Sequence, residues 1–310
     1  MKLADKYKCG FKVFDLEDSS QLSQLLSQVH TVLNCAGPFR FTAKKLIDAC
    51  LNSKTNYIDI TGEIEVIDYA WSKNDEAKKR GTVILPSAGF DVIPTDCLSK
   101  KLSEEMPDAE QLELAILNNG KISRGTFLTT LEMMREVGKI RANGKIIDSE
   151  IGEFTLKHEV NGIKINGITI PWGDVCSAFY STGIPNIKVY LHLPYAVFVL
   201  RTLQAKMLKV LSINFVFKIV KKIISKSLSG PDKKTRDKSS AIIWGRVTNS
   251  NGEKYEEAYE FIDGYSLTAI GAADCADAVL NDRITSGTTS PSIMFGSDFM
   301  RKFIIKKTSK

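Results

Sequence analysis

Between residues 11 and 89 the chain alternates short apolar runs with stretches of helical periodicity, and nothing else in the sequence restricts the fold as strongly. FKVFDL (residues 11–16), TVLNCAG (31–37), NYIDI (56–60) and TVILPSAG (82–89) read as strands. The intervals carry helical signals: Asp18-Ser19-Ser20 can cap a helix with Leu22, Leu25 and Leu26 on one side, and Ala43, Leu46, Ile47 and Cys50 share a face in the next. A polar helix is expected from about Val66 to Arg80, ended by Gly81. Short buried strands separated by helices require right-handed crossovers, which build a parallel sheet covered on both faces.

Pro94 can open the following helix because its missing N–H is no loss in a first turn, and Asp96 then lies where the helix dipole favours an anion. Beyond Pro107 the texture changes. QLELAIL, the glycine-rich stretch 161–167, ITIPWGDV and IKVYLHL read as strands without regular helices between them, as in a mainly antiparallel second layer. Residues 195–228 are apolar but interrupted by basic side chains at helical intervals, among them Arg201, Lys206 and Lys218, so amphipathic helices with a basic face are expected. AIIWGRV and KYEEAYEF flank Asn249-Ser250-Asn251-Gly252 as a hairpin, and residues 264–280 read as a helix of small side chains.

Composition removes several function classes. The net charge of +6 favours solubility, but no nucleic-acid motif accompanies it, so no nucleic acid is expected as partner. The six cysteines include no C-x-x-C pair and are expected to be reduced, as in the cytoplasm. Three histidines, none spaced to meet another, leave no material for a zinc site or a Ser-His-Asp triad, so no metal is expected. No run approaches the roughly 18 apolar residues of a spanning helix, and no signal peptide is expected at the start.

Ligands of open parallel sheets gather at the carboxyl ends of the strands. Those ends hold Asp15; Asn34 to Phe39; Asp59 to Glu63; and Ser87 to Asp91. The Gly37-Pro38 turn can let backbone approach a ligand, or be a plain strand-to-helix turn. Asp59, Thr61 and Glu63 can handle a proton or orient a substrate, or Thr61 can simply cap a helix. Asp91, between Gly89-Phe90 and Pro94, is a loop carboxylate expected to face the crevice. Arg124 can bind a carboxylate or phosphate, and Trp172-Gly173-Asp174 can line a pocket in the second layer; a surface arginine and a strand-end turn are their plainer readings.

Taken together, NCAGPF (34–39), YIDITGE (57–63), AGFDVIPTD (88–96), PWGDV (171–175) and STGIPNI (181–187) resemble the saccharopine dehydrogenase-like oxidoreductases, especially the bacterial trans-acting enoyl reductases. The resemblance runs from Lys2 to Phe299 in family order. It implies an α/β fold, an incomplete Rossmann-type doubly wound parallel sheet with a second, mainly antiparallel α/β domain. The expected division is residues 1–110 for NAD(P) binding, 111–262 for substrate with the amphipathic helices at 195–228, and 263–310 as a C-terminal helix and tail returning to the Rossmann domain. It also implies NADP or NAD as cofactor and reduction of an unsaturated or carbonyl group in a hydrophobic, lipid-like substrate.

On that reading Asn34, Cys35, Ala36, Gly37, Pro38, Phe39, Gly89 and Phe90 bind the cofactor, with Asp15 near adenosine. Asp59, Glu63 and Asp91 are the catalytic candidates, and Arg124, Trp172 and Asp174 the substrate candidates. Family members carry a first strand, a Gly-x-x-Gly-x-x-Gly turn, a helix and a second strand ahead of the part that matches Lys2-Leu3-Ala4, so this chain is expected to be N-terminally truncated and to hold its cofactor weakly. FKVFDL would then be a third strand separated from TVLNCAG by roughly 14 Å, two strand positions wide. A catalytically silent lipid- or membrane-associated binding protein is the alternative, and peripheral membrane contact and a homodimer stay open.

Overall fold

The computed structural model describes residues 2–118, 137–193, 233–281 and 283–308. The basic helices expected at 195–228 and Arg124 lie outside the described residues. Among the described residues, no helix is long and apolar enough to cross a membrane.

The first sheet is parallel and ordered β1-β2-β3-β12: β1 (Thr31–Asn34), β2 (Asn56–Asp59), β3 (Val83–Leu85) and β12 (Gly287–Thr288). The side chains of β2 and β3 are buried along their whole length, as in a sheet covered on both faces. One cover is α3 (Ala43–Ser53), whose Ala43, Leu46, Ile47, Cys50 and Leu51 are buried at the spacing of a helical stripe. It packs with Leu22 and Leu26 of α2 (Ser19–Leu26), the helix after the short α1 (Lys2–Tyr7), and Asp18 caps α2 by accepting from Gln21 N at 3.0 Å. The polar helix expected over 66–80 is two helices, α4 (Ile64–Ser72) and α5 (Asn74–Arg80), broken at Lys73.

FKVFDL is not a strand. Residues 9–15 are irregular, and Phe11, Val13 and Phe14 are 49%, 89% and 36% exposed. A strand needs a neighbour to take its ladder hydrogen bonds, and this segment pairs with none among the described residues. The outer edge of β1 likewise has no partner there, which leaves Leu33 39% exposed.

The other face of the sheet meets α6 (Ile93–Glu105) and the second layer. Pro94 occupies the first turn of α6, as expected. The second sheet is ordered β13-β11-β10-β4-β9-β5-β6. Its long members are β4 (Ala109–Asn118), β9 (Asn186–His192), β10 (Ser240–Asn249) and β11 (Lys254–Ile262), and β10 and β11 form the expected hairpin. β5 (Gly138–Ala142), β6 (Lys145–Ser149) and β13 (Ile304–Lys307) lie towards its two edges, and β7 (Thr155–Val160) and β8 (Ile163–Thr169) form a hairpin attached to β9. All pairings are antiparallel except β4 with β9.

The second layer is not free of helices: ITIPWGDV ends as a strand at Thr169, and Asp174 begins α7 (Asp174–Thr182), which Gly183 ends at φ 76°. The small-residue helix is α8 (Gly264–Leu280), packed on β1 and β2. It approaches α6 so closely that a Cβ on Gly271 would collide with Ile93 Cδ1. A short helix, α9 (Pro291–Phe295), follows β12 and packs against α6.

Candidate functional site

The carboxyl ends of the first three strands are tied to one another by buried polar side chains. Asp59, fully buried and in register with Asn34, accepts from the backbone N–H groups of Thr61 (3.0 Å) and Ser87 (2.8 Å) through Oδ1, and from the Tyr57 hydroxyl (2.8 Å) through Oδ2. Asn34, 4% exposed, donates from Nδ2 to the Tyr57 hydroxyl and to Thr42 Oγ1, both at 3.1 Å, and accepts from Ala36 N through Oδ1. A continuous chain from Thr42 through Asn34, Tyr57 and Asp59 to Ser87 thus fixes the loops after β1, β2 and β3. Burial raises the Asp59 carboxyl to about 6, against the pull of its amide donors, and raises the Tyr57 phenol as well.

Glu63 performs a second fastening. Its carboxylate accepts from the backbone N–H groups of Phe39 (2.7 Å) and Arg40 (2.8 Å), at the start of a single 3-10 turn, Phe39–Phe41. Its own N–H donates to Thr61 Oγ1 at 3.0 Å. The turn that carries the cis Gly37-Pro38 peptide is thereby pinned to the loop after β2. Cys35, Ala36 and Gly37 remain exposed beside the buried Asn34, so backbone is open to a ligand at the end of β1. The Cys35 thiol is raised by burial and by the charge of Asp59, which disfavours a thiolate.

Asp91 differs from the other two carboxyls. Its backbone carbonyl accepts from the Trp172 indole at 2.7 Å, yet among the described residues no protein donor is hydrogen-bonded to its side chain. Gly62 lies against it: a Cβ there would stand 2.8 Å from Asp91 Oδ2. Burial first, and the charge of Glu63 second, push Asp91 up to about 6. A carboxyl near neutrality with its oxygens unclaimed can hold or release a proton, whereas Asp59 and Glu63 spend theirs on holding backbone.

The sequence-derived candidates therefore separate. Asn34, Cys35, Ala36, Gly37, Pro38 and Phe39 come together with Asp59, Glu63 and Asp91 through the contacts just given. Gly89 is buried, and Phe90 donates its N–H to Thr268 Oγ1 of α8 at 2.9 Å. Asp15 sits in an exposed turn ahead of α2, accepting from Glu17 N, and not at a strand end. Trp172 is half-buried on Asp91, and Asp174 is fully buried at the start of α7. Tyr57 and Thr42 were not foreseen, although Tyr57 shares a strand face with Asp59 two residues on, which a strict period of two already implies.

Comparison with known proteins bears on the fold and on the cofactor. Residues 2–85 match the family described as "Saccharopine dehydrogenase NADP binding domain", in line with the expected NADP or NAD. The chain is 36% identical over 88 residues to the Bos taurus "Saccharopine dehydrogenase-like oxidoreductase", a stretch that covers 28% of this chain and only 20% of that relative. It is 31% identical over 88 residues to the "Trans-acting enoyl reductase" of Mycobacterium leprae, again over 20% of that protein. The apo saccharopine dehydrogenase (L-Glu forming) of Saccharomyces cerevisiae superposes with a TM-score of 0.61 at 13% identity, covering 99% of this chain and 90% of that one. That likeness shows the fold: α/β, with a parallel Rossmann-type sheet and a mainly antiparallel second sheet.

Proposed function

We propose that the chain is an NAD(P)-dependent oxidoreductase that reduces an unsaturated or carbonyl group in a hydrophobic, lipid-like substrate. The observation that carries this reading is the division of labour among the carboxyls: two are consumed in shaping the loops after β1 and β2, and Asp91 is left with no protein donor among the described residues. The exposed backbone of Cys35, Ala36 and Gly37 fits a nicotinamide laid against the end of β1, where a glycine offers no Cβ to obstruct it. Bound there, the dinucleotide supplies the hydride.

The residues do the rest. Asn34, already spending both amide groups on Tyr57, Thr42 and Ala36, keeps the turn rigid and is a positioning residue. Glu63 holds the same turn through the N–H groups of Phe39 and Arg40. Asp91 gives the proton that balances the hydride and becomes a carboxylate, to be reprotonated before the next cycle. Asp15 and Arg124 carry no part of this scheme. The lipid-like substrate is inferred from the resemblance to the mycobacterial enoyl reductase.

The test is NADPH oxidation with α,β-unsaturated acyl thioesters of increasing chain length at high cofactor concentration. Turnover that rises with chain length and collapses in Asp91→Asn is expected. Turnover unaffected by Asp91→Asn, or none with any acceptor while a catalytically competent relative works under the same conditions, removes the reading.

A further inference from the structure

The loop that carries Asp91 is held at several points, each by a different part of the fold. Gly89 opens the turn into α6, its carbonyl accepting from Val92 N at 3.2 Å and from Ile93 N at 2.8 Å. Phe90 N donates to Thr268 Oγ1 of α8 at 2.9 Å, and a Cβ on Gly264 would stand 2.9 Å from Phe90 Cγ. The Asp91 carbonyl accepts from the Trp172 indole at 2.7 Å, and the Asp91 side chain lies against Gly62. The carboxyl itself is half-buried and takes no hydrogen bond from any described residue, so its place is set by the backbone that bears it.

Trp172 can serve as a fixed donor because the segment after it is clamped. Gly173 leaves no room for a side chain: a Cβ there would meet Ile67 Cδ1 at 2.9 Å, Val92 Cγ2 at 3.1 Å and the Gly62 carbonyl oxygen at 3.2 Å. Towards the other end of α7, Tyr180 stacks on Trp71 of α4 with ring centroids 4.1 Å apart and planes 5° off parallel. The indole has a single donor and no acceptor, and that donor is spent on the main chain of Asp91.

We propose that Trp172 is a positioning residue for Asp91: its indole N–H, held by the clamped start of α7, fixes the Asp91 main chain and limits water at the carboxyl beside it. That Asp91 gives a proton rests on the proposed function; the contact does not. Without the indole, the Asp91 carbonyl would recruit water, and water there hydrates the carboxyl too, which favours the carboxylate. Burial first, and the charge of Glu63 second, raise Asp91 to about 6. Asp174 at the start of α7 also acts together with Asp91, and its own burial keeps it neutral. The loop meets α6 through Ile93 and α8 through Thr268, neither of which titrates.

Trp172→Phe keeps a ring and removes the N–H. In the chain labelled with 13C-aspartate, the Asp91 carboxyl, assigned through Asp91→Asn, should titrate at about pH 6, and in Trp172→Phe it should move towards the ordinary aspartate range. A midpoint lower by about 1 cuts the protonated fraction at pH 7, and with it turnover of NADPH with an α,β-unsaturated acyl thioester, roughly tenfold at unchanged KM, while the acid plateau is kept. A second measurement needs no change at Trp172: its indole 15N–H resonance should follow the Asp91 titration in the intact chain and lose that step in Asp91→Asn. An Asp91 midpoint unmoved in folded Trp172→Phe overturns the positioning role and leaves the oxidoreductase reading standing; a rise in KM beside it would make Trp172 a substrate contact. An indole without the step overturns the role even where Trp172→Phe does not fold. A midpoint that moves as expected, with no turnover in the intact chain, supports the contact and removes the oxidoreductase reading.

Discussion

Replacing Glu63 by Gln tests whether this residue fastens the cofactor turn or takes part in chemistry. The carboxylate accepts two short backbone hydrogen bonds, from Phe39 at 2.7 Å and Arg40 at 2.8 Å. Hydrogen bonds to a charged group contribute about 1.5–3 kcal/mol each, more than neutral ones. A Gln side chain keeps one carbonyl oxygen and turns an NH2 group towards the other N–H, so one bond weakens and the other is replaced by two donors facing each other. Glu63 is half-buried, and water can partly satisfy the orphan, which brings the expected loss to about 2 kcal/mol. Urea unfolding reads the total, and amide exchange locates it: Phe39 and Arg40 should lose protection while β2 and β3 keep theirs. A change below about 0.5 kcal/mol with Phe39 and Arg40 still protected would refute the fastening role.

Other consequences follow from the same contacts. Gly62→Ala places a methyl 2.8 Å from Asp91 Oδ2, so turnover should fall in step with Asp91→Asn while stability drops by about 1–3 kcal/mol, read by denaturation beside the assay. Gly271→Ala should cost a similar ~1–3 kcal/mol by forcing α8 off Ile93, with NADPH affinity little changed. For Asp59, a folded-state value of about 6 lies above that of the unfolded chain, so the native state binds the proton more tightly; its penalty is present above pH 6 and is relieved as pH falls towards 4. That relief is up to about 3 kcal/mol, and Asp59→Asn should flatten the stability profile between pH 4 and 6.

The parallel core was legible because short strand-like stretches, Asn56–Asp59 in β2 and Val83–Leu85 in β3, alternate with helical patterns, and both strands are buried along their length. The β10–β11 hairpin was legible from its alternation and its Asn-rich turn. FKVFDL had a strand's composition but no neighbour, and composition carries no information about neighbours. The first strand of the second layer announced itself, whereas α7 was hidden because Pro171-Trp172-Gly173 resembles a strand-end turn until Asp174 starts a helix. Within the site, the sequence put Asp59, Glu63 and Asp91 in one neighbourhood. It could not rank them, since the ranking depends on which backbone N–H groups each carboxyl meets, and those of Phe39 and Arg40 on Glu63 and of Ser87 on Asp59 come from loops 23 to 28 residues away.

On the proposed function, a dinucleotide binds at the carboxyl ends of β1 and β3. Amide-resolved NMR of the 15N-labelled chain during titration with NADPH measures this directly, even when binding is weak. Progressive shifts at Cys35, Ala36, Gly37, Gly89 and Phe90, with the β10–β11 turn unmoved, are the predicted result; saturation of the spectrum with those amides unchanged would contradict it.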